Sequence, residues 1–249
     1  MKLLLENWRK YLTEGEAGHF PWLKDLRDLG SGPGLGDRLR DRLQAGDDRF
    51  KILGAGAFRT VWTPRGDDEH VIKVAHDLDD YKLQMNKDDF ETSKRYPLIF
   101  PKAYAHSDDF SWIVMENTPP ITWPSQMQRV LDKSFPKEQE ALLKVADELQ
   151  FNPVDPFHVM KMIMASFRAD RPINEVASAA VSAARASLLQ QVLPPVAGPA
   201  YQELSKAMHE FEIDKYEINR GNIGHDEDHN FKIIDSSVFS SDPEKGARE

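Results

Sequence analysis

The order of apolar and polar positions changes period along the chain. Over residues 1 to 14, MKLLLENWRKYLTE, Leu4, Trp8, Tyr11 and Leu12 share a face with Glu and Lys opposite, the spacing of an amphipathic helix. Two shorter helical patterns, WLKDLRDL and GDRLRDRLQA, lie within residues 22 to 45, split by Ser31-Gly32-Pro33-Gly34. From Phe50 the period moves toward two. Phe50-Lys51-Ile52-Leu53 leads into Gly54-Ala55-Gly56-Ala57-Phe58-Arg59-Thr60-Val61-Trp62, then a polar turn from Pro64 to Glu69, then Val71-Ile72-Lys73-Val74-Ala75. This predicts strand, glycine-rich turn, strand, hairpin turn and strand. Asn86 to Arg95 is polar and helix-compatible. Phe100 to His106 predicts an edge strand, and Ser111 to Asn117 a buried one that stops at Thr118-Pro119-Pro120, because proline cannot donate to a ladder.

From Ser125 to Ile213 the helical period returns. Leu142, Leu143, Ala146 and Leu149 predict one buried face, and Phe157, Met160, Met164 and Phe167 a second. Val176, Ala180, Ala183, Ala184, Leu188 and Val192 extend the pattern, with Pro172 and Pro199 near helix starts. Such stripes predict core, not ligand sites. The expected organisation is a leader (1–14), a helical extension (15–49), a β-rich lobe (50–120), a helical lobe (121–239) and a tail (240–249).

Composition excludes several classes of function. The 249 residues are 40% hydrophobic and 10% aromatic, enough for a core. Cysteine is absent, which excludes disulfides, thiolate zinc sites and cysteine nucleophiles. A formal net charge of −9 with no local basic patch speaks against a nucleic-acid partner. No apolar run approaches the roughly 20 residues of a membrane span. The N-terminal Met1-Lys2-Leu3-Leu4-Leu5 is cut off by Glu6, too short for the core of a signal peptide. No membrane partner is expected, and a cytoplasmic location is.

Candidate chemistry concentrates near the end. In Tyr216-Glu217-Ile218-Asn219-Arg220-Gly221-Asn222-Ile223-Gly224, an acid and an Asn stand five apart on a Gly-containing loop, and the short strand Phe231-Lys232-Ile233-Ile234 delivers Asp235 thirteen residues after Asn222. Oxygen ligands in that order suit a metal–phosphate site. Together with Gly54-x-Gly56, Val61 five residues on, and Lys73 within a β-branched strand, the set resembles the protein-kinase-like superfamily, with its G-x-G-x-x-G-x-V loop, strand Lys, D-x-x-x-x-N loop and later Asp.

The resemblance implies an α+β, bilobal fold, with a small β-rich N-lobe and a helical C-lobe enlarged in the middle and shortened at its end. It implies ATP and Mg²⁺, and transfer of a phosphoryl group to a protein (Ser/Thr) or small-molecule acceptor. Gly54, Ala55 and Gly56 would cradle the phosphates beside Val61, and Lys73 would supply charge to them. Lys73 would pair with an acid on the next helix. Glu91 fits that spacing best and Asp89 is the second candidate, while the plain alternative makes both solvated helix carboxylates. Met115 would be the gatekeeper, and Glu116 and Asn117 would begin the hinge, where backbone groups meet adenine. Asn222 and Asp235 would hold the metal, with Glu217 as base.

Departures from the pattern keep other functions open. Arg59 stands where the third glycine belongs, Glu217 replaces an Asp, Asn219 replaces a cation that Arg220 could supply instead, and Asp235-Ser236-Ser237 replaces D-F-G. About a hundred residues separate Glu116 from Glu217, and fourteen follow Asp235, too few for the usual peptide-binding helices. A catalytically weak or inactive kinase-like (pseudokinase) binding or virion protein is the second expectation, and nucleotidyl transfer on the same fold the third. His225-Asp226-Glu227-Asp228-His229 has two His four apart, which could ligate a metal, but its place between two apolar segments predicts a solvated hairpin turn. Leu12-Thr13-Glu14-Gly15 resembles the sites cut by the prohead protease of T-even-type tailed phages. That resemblance implies a head-targeting leader cleaved after Glu14, a phage capsid or prohead protease as partner, and a protein packaged in a virion. The plain alternative is an N-terminal helix docked on the body.

Overall fold

Alternation along the strands decides the architecture of the first half. The structure, a computed structural model, describes residues 20–30, 34–56, 58–76, 80–149, 152–168, 187–210 and 222–234. The leader 1–14, the Ala-rich stripe over 176–184, Glu217, Asn219, Arg220, Asp235 and the tail 240–249 lie outside the described residues. Two compact units result. One holds the described residues up to Arg95 together with Pro101–Asn117, and the other Tyr96–Phe100 and the described residues from Thr118 onward. The boundary between the two units falls between Asn117 and Thr118, and the described part of the extension lies in the sheet unit.

In the first unit, helices α1 (Pro21–Asp28) and α2 (Leu35–Gln44) precede strands β1 (Phe50–Ala55), β2 (Arg59–Pro64) and β3 (His70–Ala75). Helix α3 (Asp80–Arg95) and strands β4 (Ala103–His106) and β5 (Trp112–Glu116) follow. The sheet has the order β1-β2-β3-β5-β4, and every pair is antiparallel. One helix lies between the third and fourth strands in chain order, as the change of period along the sequence predicts.

The register sets Val61 against Lys73 and Lys73 against Ile113, and Val71 against Met115. Because side chains alternate between faces, these residues share one face with Arg59 and Ala75. Val71, Ile113 and Met115 form an apolar cluster there with Phe90 of α3. The opposite face carries Trp62, Ile72, Val74, Trp112 and Val114, which pack with Leu23, Leu26, Leu29, Leu35 and Leu39 of the extension. The extension is thus the cover of the sheet's second face, and β3, covered on both, is buried along its whole length. Each fully buried side chain of this size is worth roughly 1.5–3 kcal/mol. β1 is an edge strand, exposed after Phe50, with a bulge between Ile52 and Gly54.

The second unit is helical around a hairpin. Its helices are α4 (Pro124–Ser134), α5 (Pro136–Lys144), α6 (Ala146–Leu149), α7 (Pro156–Ala165) and α8 (Pro199–Glu210). Four of them start on proline, whose fixed φ and missing N–H cost nothing at a first helical position. The hairpin consists of β6 (Ile223–His225) and β7 (Phe231–Ile233). Phe231 and Phe135 meet edge to face, ring centroids 5.4 Å apart, within a core that includes Leu142, Leu149, Ile163 and Leu204. One expected stripe is corrected. Leu143 is exposed, because it lies about 100° further round α5 than Leu142, which with Glu138 and Ala141 forms the buried side. No described helix is long and apolar enough to cross a membrane.

Candidate functional site

Helix phase selects the acid that meets Lys73. On α3 the buried residues are Met85, Asn86, Asp89, Thr92 and Ser93, a stripe at three- and four-residue intervals that faces the sheet. Asp89 lies in that stripe, and its Oδ2 accepts a hydrogen bond from Lys73 Nζ at 2.7 Å. Lys73 is 6% exposed and Asp89 1%. Glu91, two residues further round the helix, is exposed and lies 3.9 Å from Lys87 on the solvent side. The spacing argument favoured Glu91, and the structure corrects it to Asp89.

The same carboxylate oxygen takes a second cation. Arg59 Nη1 lies 2.7 Å from Asp89 Oδ2, 3.3 Å from Asn86 Oδ1 and 3.4 Å from Met85 O. Asn86 in turn donates from Nδ2 to Phe110 O in the β4–β5 turn. Removing one partner of a buried pair costs roughly 3–5 kcal/mol, because the remaining charge stays desolvated. Next to this cluster Asp88 is pushed above the usual carboxylate range, first by burial and then by the neighbouring charges of Asp89 and Glu91. Sequence reasoning placed Arg59 in the glycine turn but not on Asp89. The missed signal is the hairpin phase: Arg59, Val61 and Lys73 occupy one face once Val61 is set against Lys73.

The glycine turn closes the β1–β2 hairpin. Gly54 pairs with Val61 and Ala55 with Thr60, and Gly56 N donates to Arg59 O at 2.8 Å. Neither Gly54 nor Gly56 has a positive φ, and a Cβ built on Gly54 meets nothing within 4 Å. The chain's own packing does not demand glycine at 54.

At the connector after β5, Glu116 N donates to Lys102 O at 2.8 Å and Asn117 N to Glu69 O at 2.7 Å. Asn117 Nδ2 also donates to Asp68 O. The amides of these two residues are therefore committed to the sheet and to the β2–β3 turn. Met115 is fully buried on the Lys73 face.

In the second unit, the hairpin sets the backbone of Asn222. Ile234 N donates to Asn222 O at 2.9 Å, one step beyond the Ile223–Ile233 pair. Asn222 thus stands at the open end of the hairpin, and Asp235 follows Ile234 in the chain. Gly224 is required sterically, since a Cβ there would lie 2.6 Å from Pro119 O and 2.8 Å from Thr118 Cγ2. Those atoms belong to a segment that runs alongside β6, with a bridge between Pro120 and Gly224. The His225–His229 segment is the hairpin turn. Asp226 accepts from Asn230 N and Nδ2 at 2.8 and 2.9 Å, and His229 has φ +63°. Among the described residues no group of three His, Asp or Glu side chains could hold a metal.

No family model matches the sequence, and no curated protein matches it. Among solved structures the chain is similar to one titled as the ternary complex of streptomycin, ATP and APH(2″)-IIa. The TM-score is 0.35 and the identity 15%, over 82% of this chain and 71% of that one.

Proposed function

We propose that the chain is an ATP- and Mg²⁺-dependent phosphotransferase of protein-kinase-like type, acting on a hydroxyl of a protein (Ser/Thr) or small molecule. The observation that carries this reading is the buried pair of Lys73 on β3 with Asp89 on the following helix, on the sheet face next to the glycine turn. Lys73 would donate to the phosphates and the backbone of Gly54 to Gly56 would line them. Asn222 and Asp235 offer an amide oxygen and a carboxylate, donors that fit a hard cation. Bound there, Mg²⁺ supplies charge neutralisation at the phosphates. Glu217 would take the proton of the acceptor hydroxyl as its oxygen bonds to the γ-phosphorus and ADP leaves. Residues 1–14 fit a leader that sends the protein into a phage head, as a packaged effector.

A catalytically weak or silent form is the second reading, favoured by Glu217, whose extra methylene shifts the carboxylate by about 1 Å, a displacement that can cost about a hundredfold in rate. The intact mass of the protein after incubation with ATP and Mg²⁺, beside Asp235→Ala, separates the readings. Phosphoryl additions on the native chain and none on Asp235→Ala support transfer, an AMP-sized addition assigns nucleotidylation, and no addition to the chain or to offered acceptors assigns the silent form.

A further inference from the structure

Three described segments of the sheet unit are linked through Arg59 and its neighbour Asn86. Arg59 closes the glycine turn through its carbonyl, which accepts from Gly56 N, while its guanidinium reaches Met85 O, Asn86 Oδ1 and Asp89 Oδ2, acceptors within one and a half turns of α3. Asn86, fully buried, carries the connection to Phe110 O in the β4–β5 turn, where Phe110 has φ +56°, a conformation that costs a non-glycine residue energy and needs outside support. Arg59 and Lys73 converge on the same oxygen of Asp89, at 2.7 Å each.

We infer that Arg59 is a positioning residue that keeps α3 seated and Asp89 compensated independently of Lys73, so that the phosphate-binding lysine can donate to an anion without unseating the helix. This rests on Lys73 being the phosphate ligand. Where a buried acid has only a lysine as partner, any turn of the ammonium toward phosphate weakens the compensation of the acid, and the helix that carries it loses its anchor. With a guanidinium on the same oxygen, Asp89 stays paired while Lys73 shares its protons. All three acceptors on α3 lie within 3.4 Å of one nitrogen, Nη1, at the far end of the longer arginine side chain. The residue that replaces the third glycine is thus what holds the helix, and the site is assembled before the nucleotide arrives.

The experiment compares the full chain with Arg59→Met, Arg59→Lys and Asp89→Asn, and with Arg59→Met combined with Asp89→Asn. Amide exchange over residues 80–95 is read without nucleotide, and ATP·Mg²⁺ affinity is read alongside. Exchange of α3 should rise about tenfold or more in Arg59→Met, the ratio lost with one charge-assisted hydrogen bond. It should be partly rescued in Arg59→Lys, and Arg59→Met should add little once Asp89 is already neutral. Nucleotide affinity should fall about tenfold in Arg59→Met, as misplacement of Asp89 passes to Lys73. Native-like α3 exchange in Arg59→Met, or an undiminished effect of Arg59→Met in the Asp89→Asn background, overturns the inference. If Arg59→Met does not fold, Arg59→Lys decides, since the shorter lysine stem stops short of the Nη1 position and must still raise α3 exchange. A native chain that binds no ATP while its α3 responds to Arg59→Met refutes the nucleotide reading and leaves the anchoring role standing.

Discussion

Among the described residues each unit buries one lysine on a strand, and the two are solved in different ways. Lys73, in the sheet unit, faces a carboxylate that a second cation already serves. Lys232, on β7 of the helical unit and equally buried, donates to Pro97 O at 3.0 Å and Phe100 O at 3.4 Å, with Asp226 Oδ2 3.7 Å away. Its neighbour Ile233 N donates to Ile99 O at 2.7 Å, so Lys232 pins the 96–100 segment against the hairpin. A lysine that answers backbone carbonyls is architecture. A lysine whose acid partner has a second, redundant cation can be spared for chemistry.

The widest separation of the two should come from removing each charge. Lys73→Met should lower turnover about a hundredfold or more, the scale of losing one electrostatic contact to the transferring group. It should lower the unfolding free energy by only about 1 kcal/mol, because Arg59 still compensates Asp89. Lys232→Met should do the reverse. Two carbonyls lose their donor, that of Phe100 buried and that of Pro97 partly so, which costs about 1–3 kcal/mol, and turnover per folded molecule should not move. Steady-state rates beside denaturant titrations check both, and equal losses of activity in the two variants would erase the distinction.

How far this contrast was legible beforehand differs between the two lysines. Lys73 stood out because a β-branched strand, a glycine turn and a hydrophobic alternation surround it in sequence. Its acid was misassigned because spacing from the lysine was weighed and helix phase was not. Met85, Asp89 and Ser93 recur at four-residue intervals, and Glu91 falls outside that stripe. Lys232 gave no local signal, since its partners are carbonyls more than 130 residues away in the chain. The role of the extension over 20–45 was similarly hidden. Its leucines show a helix with one apolar face, but only the second face of the sheet, carrying Trp62, Ile72 and Trp112, says what that face covers.

Glycines extend the comparison from side chains to backbone. Gly224→Ala should cost about 1–3 kcal/mol, since the new methyl would press on Pro119 O and Thr118 Cγ2 and the backbone must shift. Gly54→Ala should leave thermal stability within a few tenths of a kcal/mol, in keeping with an unhindered Cβ and an unstrained φ. It should nevertheless weaken ATP·Mg²⁺ binding, measured by titration calorimetry, if phosphates approach the turn. A Gly54→Ala protein with unaltered nucleotide affinity would remove the turn from the site while leaving the Lys73–Asp89 pair in place.

The smallest effect concerns a charge on the sheet unit that is architecture, and it keeps the contrast from becoming one of whole units. Asp67, in the β2–β3 turn, accepts from the backbone N–H groups of Glu69 and His70 at 3.0 Å each. It also pairs with His70 Nδ1 at 2.8 Å and accepts from Trp22 Nε1 of α1 at 2.8 Å. The His70 ring lies edge-on to Phe20 and Tyr104, at 4.4 and 4.7 Å between centroids. Burial pushes the Asp67 carboxyl up, but the hydrogen bonds from His70 and Trp22 outweigh it and hold the group below the usual carboxylate range. A carboxyl whose folded pKa lies below its unfolded value of about 3.9 stabilises the fold above that value. The contribution is lost as pH falls through the folded pKa. Asp67→Asn should therefore be less stable than the native chain at neutral pH, and the gap between them should close below about pH 4. Denaturant midpoints of the two proteins across that range test it, with nucleotide affinity per folded molecule as the control, because Asp67 ties α1 to the turn and touches neither Asp89 nor Lys73. A gap that stays constant through the acid limb would mean that the turn's geometry, and not the charge of Asp67, is what the extension relies on.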